Sequence, residues 1–323
     1  LSAVGIDPRS VAYVRFTLIG TGAESTLTIN EEIETVRESG FSWQKTEPYL
    51  SEEWKAEIRD TAEKIDKTEV SEDTVRFLLT TDIHYEPNGD NHEYVKNIGK
   101  VSAGLMRQYD ISYFLITGDV STQSPWHEVT VFESNMQQVL DVLSPIPDAN
   151  ILLTVGNHDG ATGRVEKDGT VINYRKQLTT EQRAEIFFSW QQASDPHKKF
   201  SPDGTYYYLD DARTKTRIIM LNSFWTEWAG EPDGFTTDIQ HSFFNHPLLG
   251  EEQMNWLIKE ALDMPKGYEA ILATHNAYSP MDTQMLVEVI NAYQNRERYK
   301  GTFEGEQEWQ SYELSANFSS AKG

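Results

Sequence analysis

Four short polar clusters stand where they could do chemistry together. They are Thr81-Asp82-Ile83-His84, Gly118-Asp119, Gly156-Asn157-His158-Asp159 and Thr274-His275-Asn276, each following a run rich in Leu, Ile or Val. Carboxylate, amide and imidazole donors suit borderline divalent cations such as Mn, Fe or Zn. Asp82, His84, Asp119, Asn157 and His275 therefore form a candidate mixed oxygen and nitrogen ligand set, with Asp-x-His spacing expected to aim both side chains the same way off a strand end. Two cations held together by one carboxylate acidify a shared water and clamp the oxygens of a phosphoryl group. His158, one residue from a candidate ligand, could act on the leaving oxygen as an acid or steady the equatorial oxygens. Asp159 is expected to brace the turn or orient an imidazole.

The elements that must position these clusters follow a repeating pattern. RFLLTTD, a helix across 92–109, YFLITGD, a helix near 127–143 and NILLTVGNHD alternate strand with helix, and TYYYLDD, TRIIMLNS and EAILATHN supply later strands. Such alternation marks an α/β layered domain, whose ligands bind beyond the carboxyl ends of the strands. The polar stretch from 160 to 204 reads as an insertion with one helix near 179–192. Upstream, residues 51–66 place Trp54, Ile58, Ala62 and Ile65 at helical spacing. Residues 12–38 alternate Val14, Phe16, Leu18, Leu27 and Ile29 around Gly20-Thr21-Gly22, the pattern of a hairpin that closes an upstream β domain or lies as a flap. The expected organisation is 1–38 as that hairpin, 39–74 as a linker with one helix, and 75–323 as the catalytic domain.

The order D-x-H, G-D, G-N-H-D and a lone His after a strand, over roughly residues 75–280, resembles the calcineurin-like metallophosphoesterases. The resemblance implies a layered β-sandwich flanked by helices, the four-layer metallophosphoesterase-like fold. It implies two divalent metal ions, with Asp82 and His84 on the first, Asp119 bridging, and Asn157 and His275 on the second. Asp119 and His158 would then be the catalytic pair, His158 contacting the phosphate. The implied activity is metal-dependent hydrolysis of a phosphomonoester or phosphodiester. Family members also carry a Gly-His-x-His motif after one more strand, and no His follows His275. The expectation is a C-terminally truncated domain within a larger multidomain protein; the alternative is a catalytically impaired module serving as a binding or structural part of a cell-surface or phage-tail protein. An extracellular, cell-surface or phage-particle location goes with either. His84 and Thr122 stand where purple acid phosphatases have Gly and Tyr, and GDVSTQSPWHE lacks the Asp and Arg of protein phosphatases, so both subfamilies are disfavoured.

Composition narrows the partners. Across 323 residues, 28 Lys and Arg face 51 Asp and Glu for a net charge of −23, which repels polyanions and argues against a stoichiometric nucleic-acid partner. The phosphate ester is then the expected partner. No cysteine is present, which excludes thiolate metal sites, and no apolar run is long enough for a membrane span. Of the remaining histidines, His92 and His127 fall in loops just beyond strand-end clusters and could line the cleft. His197, His241 and His246 read as surface residues, and Trp225 and Trp228 either wall a pocket or pack a long loop.

Overall fold

The computed structural model describes residues 52–67, 73–85, 92–121, 129–160, 165–167, 170–172, 175–176, 178–224, 235–236, 248–276, 280–305 and 310–323. The hairpin expected over 12–38 lies outside them, as do His127, Trp225, Trp228, His241 and His246. Helix α1 (Glu52–Asp66) buries Ile58 and Ala62, the four-residue spacing that gave the helix its stripe. Strand β1 (Phe77–Thr80), helix α2 (His92–Gln108), strand β2 (Tyr113–Thr117), helix α3 (Val129–Leu143) and strand β3 (Ile151–Thr154) follow. The three strands form one parallel sheet in the order β1-β2-β3.

The insertion begins with β4 (Val165–Lys167), paired antiparallel to β5 (Thr170–Ile172), and β6 (Arg175–Lys176). The single helix expected there has three parts, α4 (Thr180–Arg183), a π turn (Ala184–Phe188) and α5 (Ser189–Ser194). Thr179 and Gln182 close its start as a reciprocal capping box. Strands β7 (Lys199–Phe200), β8 (Tyr207–Asp211) and β9 (Thr216–Met220) come next, then β10 (Phe235–Thr236), which pairs with β6. Helix α6 (Glu251–Trp256) runs into a second π turn (Leu257–Ala261), followed by β11 (Glu269–Ala273). A mixed sheet has the order β11-β9-β8-β7, with β11 parallel to β9. Beyond His275 the chain, expected to approach another core strand, folds as α7 (Thr283–Asn295) and the antiparallel pair β12 (Arg298–Phe303) and β13 (Tyr312–Asn317). No helix among the described residues is long and apolar enough to cross a membrane.

The period of two along β8 and β9 divides the core. Tyr207, Leu209, Ile218 and Met220 pack with β1–β3, α2 and α3, whereas Tyr206, Ile219 and Leu221 pack with Met254, Leu257, Val289 and Leu314. Among the described residues strand β3 pairs with β2 alone, and side chains satisfy its other edge: Lys198 Nζ donates to the Ile151 carbonyl at 2.9 Å, and the Leu153 N–H donates to Tyr207 Oη at 3.0 Å. Tyr207 Oη in turn donates to Gln191 Oε1 at 2.8 Å. A buried edge left unpaired would cost about 1–3 kcal/mol per group, a cost these side chains remove. At the carboxyl end of the same seam, Thr154 Oγ1 donates to the Leu221 carbonyl at 2.5 Å and fixes the ends of β3 and β9 together.

Candidate metal centre

The loops after β1 and β2 run on side by side. Asp82 N–H donates to the Gly118 carbonyl at 3.1 Å, His84 N–H to that of Asp119 at 2.8 Å, and Tyr85 N–H to that of Val120 at 2.8 Å. Asp82, His84 and Asp119 have φ of 53°, 45° and 51°, half of the six non-glycine positive-φ residues described. Left-handed backbone is uncommon outside glycine, least so for Asp, Asn and His, and it clusters at functional sites. Asp82 and His84 share one side just past the end of β1, but two left-handed residues, not strand alternation, turn them toward one point. His84 Nε2 stands 3.6 Å from Asp82 Oδ1 and 3.7 Å from Asp119 Oδ2.

Asp119 is the centre of the group. Its side chain is 3% exposed, and Oδ1 accepts the His158 N–H at 2.8 Å. Oδ2 faces His275 Nε2 at 3.4 Å and His158 Nε2 at 3.9 Å. Two glycines allow this approach. A Cβ on Gly156 would run into the Asp119 carboxylate, and one on Gly118, whose φ is +93°, would lie 2.6 Å from the Gly156 nitrogen and 2.8 Å from His275 Nδ1. Behind them Asp159 is fully buried and joins two loops, Oδ1 accepting the Ser121 N–H at 2.9 Å and Oδ2 the Gly156 N–H at 2.8 Å. Burial, and then the Asp119 charge, push its pKa up to about 8. Asn135 on α3 extends the brace by donating to Ser121 Oγ at 3.0 Å.

His275 arrives from the mixed sheet. Its Nδ1 is 2.6 Å from the Thr117 carbonyl, which can only accept, so Nδ1 carries the hydrogen. Nε2 therefore turns toward Asn157 Oδ1 at 3.2 Å and Asp119 Oδ2 at 3.4 Å. An imidazole nitrogen, an amide and a carboxylate oxygen meet there, and a divalent ion between them would satisfy all three. That arrangement is the test of fit for divalent ions, and the donor set meets it with the oxygen and nitrogen chemistry such ions take. Two overlapping groups have their ligand atoms within 4.8 Å of one another: Asp82, Asp119 and His275, and His84, Asp119 and His158.

The structure thus brings together Asp82, His84, Asp119, Asn157, His158 and His275, with Asp159 directly beneath. His158 belongs to one of the metal-competent groups, a role the sequence reading did not give it, and its ring meets that of His84 edge-on with centroids 4.6 Å apart. Burial lowers its pKa more than Asp119 raises it, which favours the neutral imidazole. His92 opens α2, and its side chain is outside what is described. Sequence reasoning missed the Thr117 carbonyl, Ser121 and Asn135. Ser121, two residues past Asp119, had a positional signal; a backbone carbonyl and a mid-helix Asn had none.

A protein-family model described as "Calcineurin-like phosphoesterase" matches residues 75–283. No curated protein matches the chain.

Proposed function

The chain belongs to the calcineurin-like phosphoesterase family, and on that premise we propose that it hydrolyses a phosphate ester at a centre of two divalent ions, Mn, Fe or Zn. The observation that carries the reading is the meeting of the Asp119 carboxylate and the Asn157 amide on His275 Nε2, three groups that a divalent ion could share. Asp82 and His84 would hold one ion, Asn157 and His275 the other, and Asp119, with its second oxygen pinned by the His158 N–H, would lie between them. When bound, the ions supply Lewis acidity toward water and toward the phosphoryl oxygens.

The protein's own groups set the rest. Asp82, with a half-exposed side chain, marks the open rim of the site, and Asp119 its closed floor. His158 is a quarter exposed and favours its neutral form, which supports a hydrogen bond from its ring N–H to a phosphoryl oxygen as charge builds there, in preference to proton delivery. The two cores on either face of the mixed sheet support a four-layer arrangement, helices outside and sheets inside, that leaves the strand ends open to substrate.

The test is hydrolysis of bis-p-nitrophenyl phosphate and p-nitrophenyl phosphate by metal-stripped protein resupplied with Mn²⁺ or Zn²⁺, beside the Asp119→Ala variant. The expected result is metal-dependent hydrolysis of at least one ester, reduced in the variant by more than the ~100-fold typical of removing an outer partner of a metal ligand. Hydrolysis indifferent to metal or to Asp119 would overturn the proposal. Tight metal binding with no turnover of either ester would instead favour a binding module.

A further inference from the structure

We propose that Ser223 is a positioning residue for His275, a role that rests on the metal-centre reading above. Among the described residues His275 is the one converging residue supplied by the mixed sheet, and its strand gives it little support. Among the described residues β11 pairs on one side only, with β9, and Ala270, Ile271 and Leu272 are only half-buried. The Thr117 carbonyl holds one end of the imidazole. The backbone that follows is held by Ser223, whose Oγ accepts the Asn276 N–H at 3.2 Å.

Ser223 is suited to this because its own position is fixed on every side. It is fully buried just beyond β9, and its carbonyl accepts the Leu248 N–H at 2.9 Å. The preceding residue, Asn222, is gripped like a strand partner by the side-chain amide of Gln253 on α6. The Asn222 N–H donates to Gln253 Oε1 at 2.8 Å, and Gln253 Nε2 donates to the Asn222 carbonyl at 2.8 Å and the Leu249 carbonyl at 3.0 Å. The Asn222 side chain donates to Thr205 Oγ1 at 3.2 Å and accepts the Phe224 N–H at 2.9 Å. Phe224 then lays its ring 5.9 Å from that of His275. Gln253, Asn222 and Ser223 are each 0% exposed, so these bonds form in a medium where they are strong and where their loss is felt. The network therefore ends, through one hydroxyl, on the residue next to a candidate ligand.

A side chain that only helps the fold would shift stability without favouring one ion over the other. Ser223→Ala removes the acceptor while adding no bulk, and Thr205→Ala removes a bond of similar kind from the same network at a distance from His275. Stepwise Mn²⁺ binding to the chain is measured by calorimetry for both variants, with melting temperature alongside. The His275 Nδ1–H signal of the metal-stripped protein is followed by NMR. Ser223→Ala is expected to weaken one of the two ions by roughly tenfold, the scale for a residue acting behind a ligand, to leave the other nearly unchanged, and to shift or broaden the His275 signal. Thr205→Ala is expected to lower the melting temperature and leave both affinities as they were. Unchanged binding in Ser223→Ala, or equal weakening of both ions in either variant, would overturn the role. If the unaltered protein binds no Mn²⁺, the metal reading fails and the NMR signal decides alone: a shift supports the positioning of His275, and an unmoved signal refutes it.

Discussion

The parallel sheet brings Asp82, His84, Asp119, Asn157 and His158 to the site in three short turns, while among the described residues the mixed sheet brings His275 alone and backs it with buried hydrogen bonds. On the first side the backbone itself is bent into place, left-handed at Asp82, His84 and Asp119, and kept there by close contacts at Gly118 and Gly156. On the second side strand β11 ends with ordinary geometry, and accuracy comes from neighbours: the Thr117 carbonyl, Ser223 and Phe224. One side concentrates candidate ligands at the cost of strain, about 1–3 kcal/mol per left-handed residue, and the other concentrates rigidity around a single candidate.

That contrast can be broken most forcefully at Gly156. Gly156→Ala drives a methyl group into the Asp119 carboxylate, so metal affinity is expected to fall by about 100-fold or more and stability by about 1–3 kcal/mol, read by calorimetry and denaturant titration. Affinity close to that of the unaltered protein would mean that the turns of the parallel sheet tolerate rearrangement and that their strain has no purpose at the centre.

His158→Ala sharpens the division of labour within the parallel sheet. Turnover is expected to drop by roughly 100-fold with metal content retained, the loss staying similar for activated and unactivated esters if the ring N–H steadies charge. Metal lost along with activity would make His158 a ligand in the group it forms with His84 and Asp119.

The effect farthest from the centre lies at the seam where the two sheets meet. Burial pulls the Lys198 ammonium down to about 8 from its ordinary 10.5. The unfolded chain then holds this proton in a range where the folded chain has released it, so folding stability gains with rising pH between about 8 and 10.5, and the full penalty applies below 8. Compared with Lys198→Met across that window, the unaltered protein is expected to gain up to about 3 kcal/mol. A difference flat with pH would mean that water reaches the ammonium.

Much of the parallel-sheet side was legible in the sequence because its chemistry is local. Asp82 and His84, or Asn157 and His158, are near neighbours in the chain, and each cluster follows an apolar strand, so type and spacing were enough to single them out. Their manner of convergence was not legible, since left-handed φ at Asp82 and His84 replaces the strand alternation that spacing suggested. On the mixed-sheet side His275 was the single candidate ligand that stood out. Its support joins residues far apart in sequence, Thr117 at a separation of 158, Ser223 at 53 from Asn276, and Gln253 at 31 from Asn222. A buried Gln on an amphipathic helix or a Ser after a strand looks ordinary until the tertiary contacts form. The split of the helix after Thr179 by a π turn, and the side-chain completion of the β3 edge by Lys198 and Tyr207, were hidden for the same reason.

If both sheets meet on a metal ion at Asp119, crystals soaked in Mn²⁺ and measured at its absorption edge will show it. Anomalous density is expected within about 2.0–2.3 Å of both Asp119 Oδ2 and His275 Nε2, with a second peak toward Asp82 and His84. Well-ordered crystals with no anomalous density at Asp119, or with His275 Nε2 still directed at Asn157 and no ion between them, would contradict it.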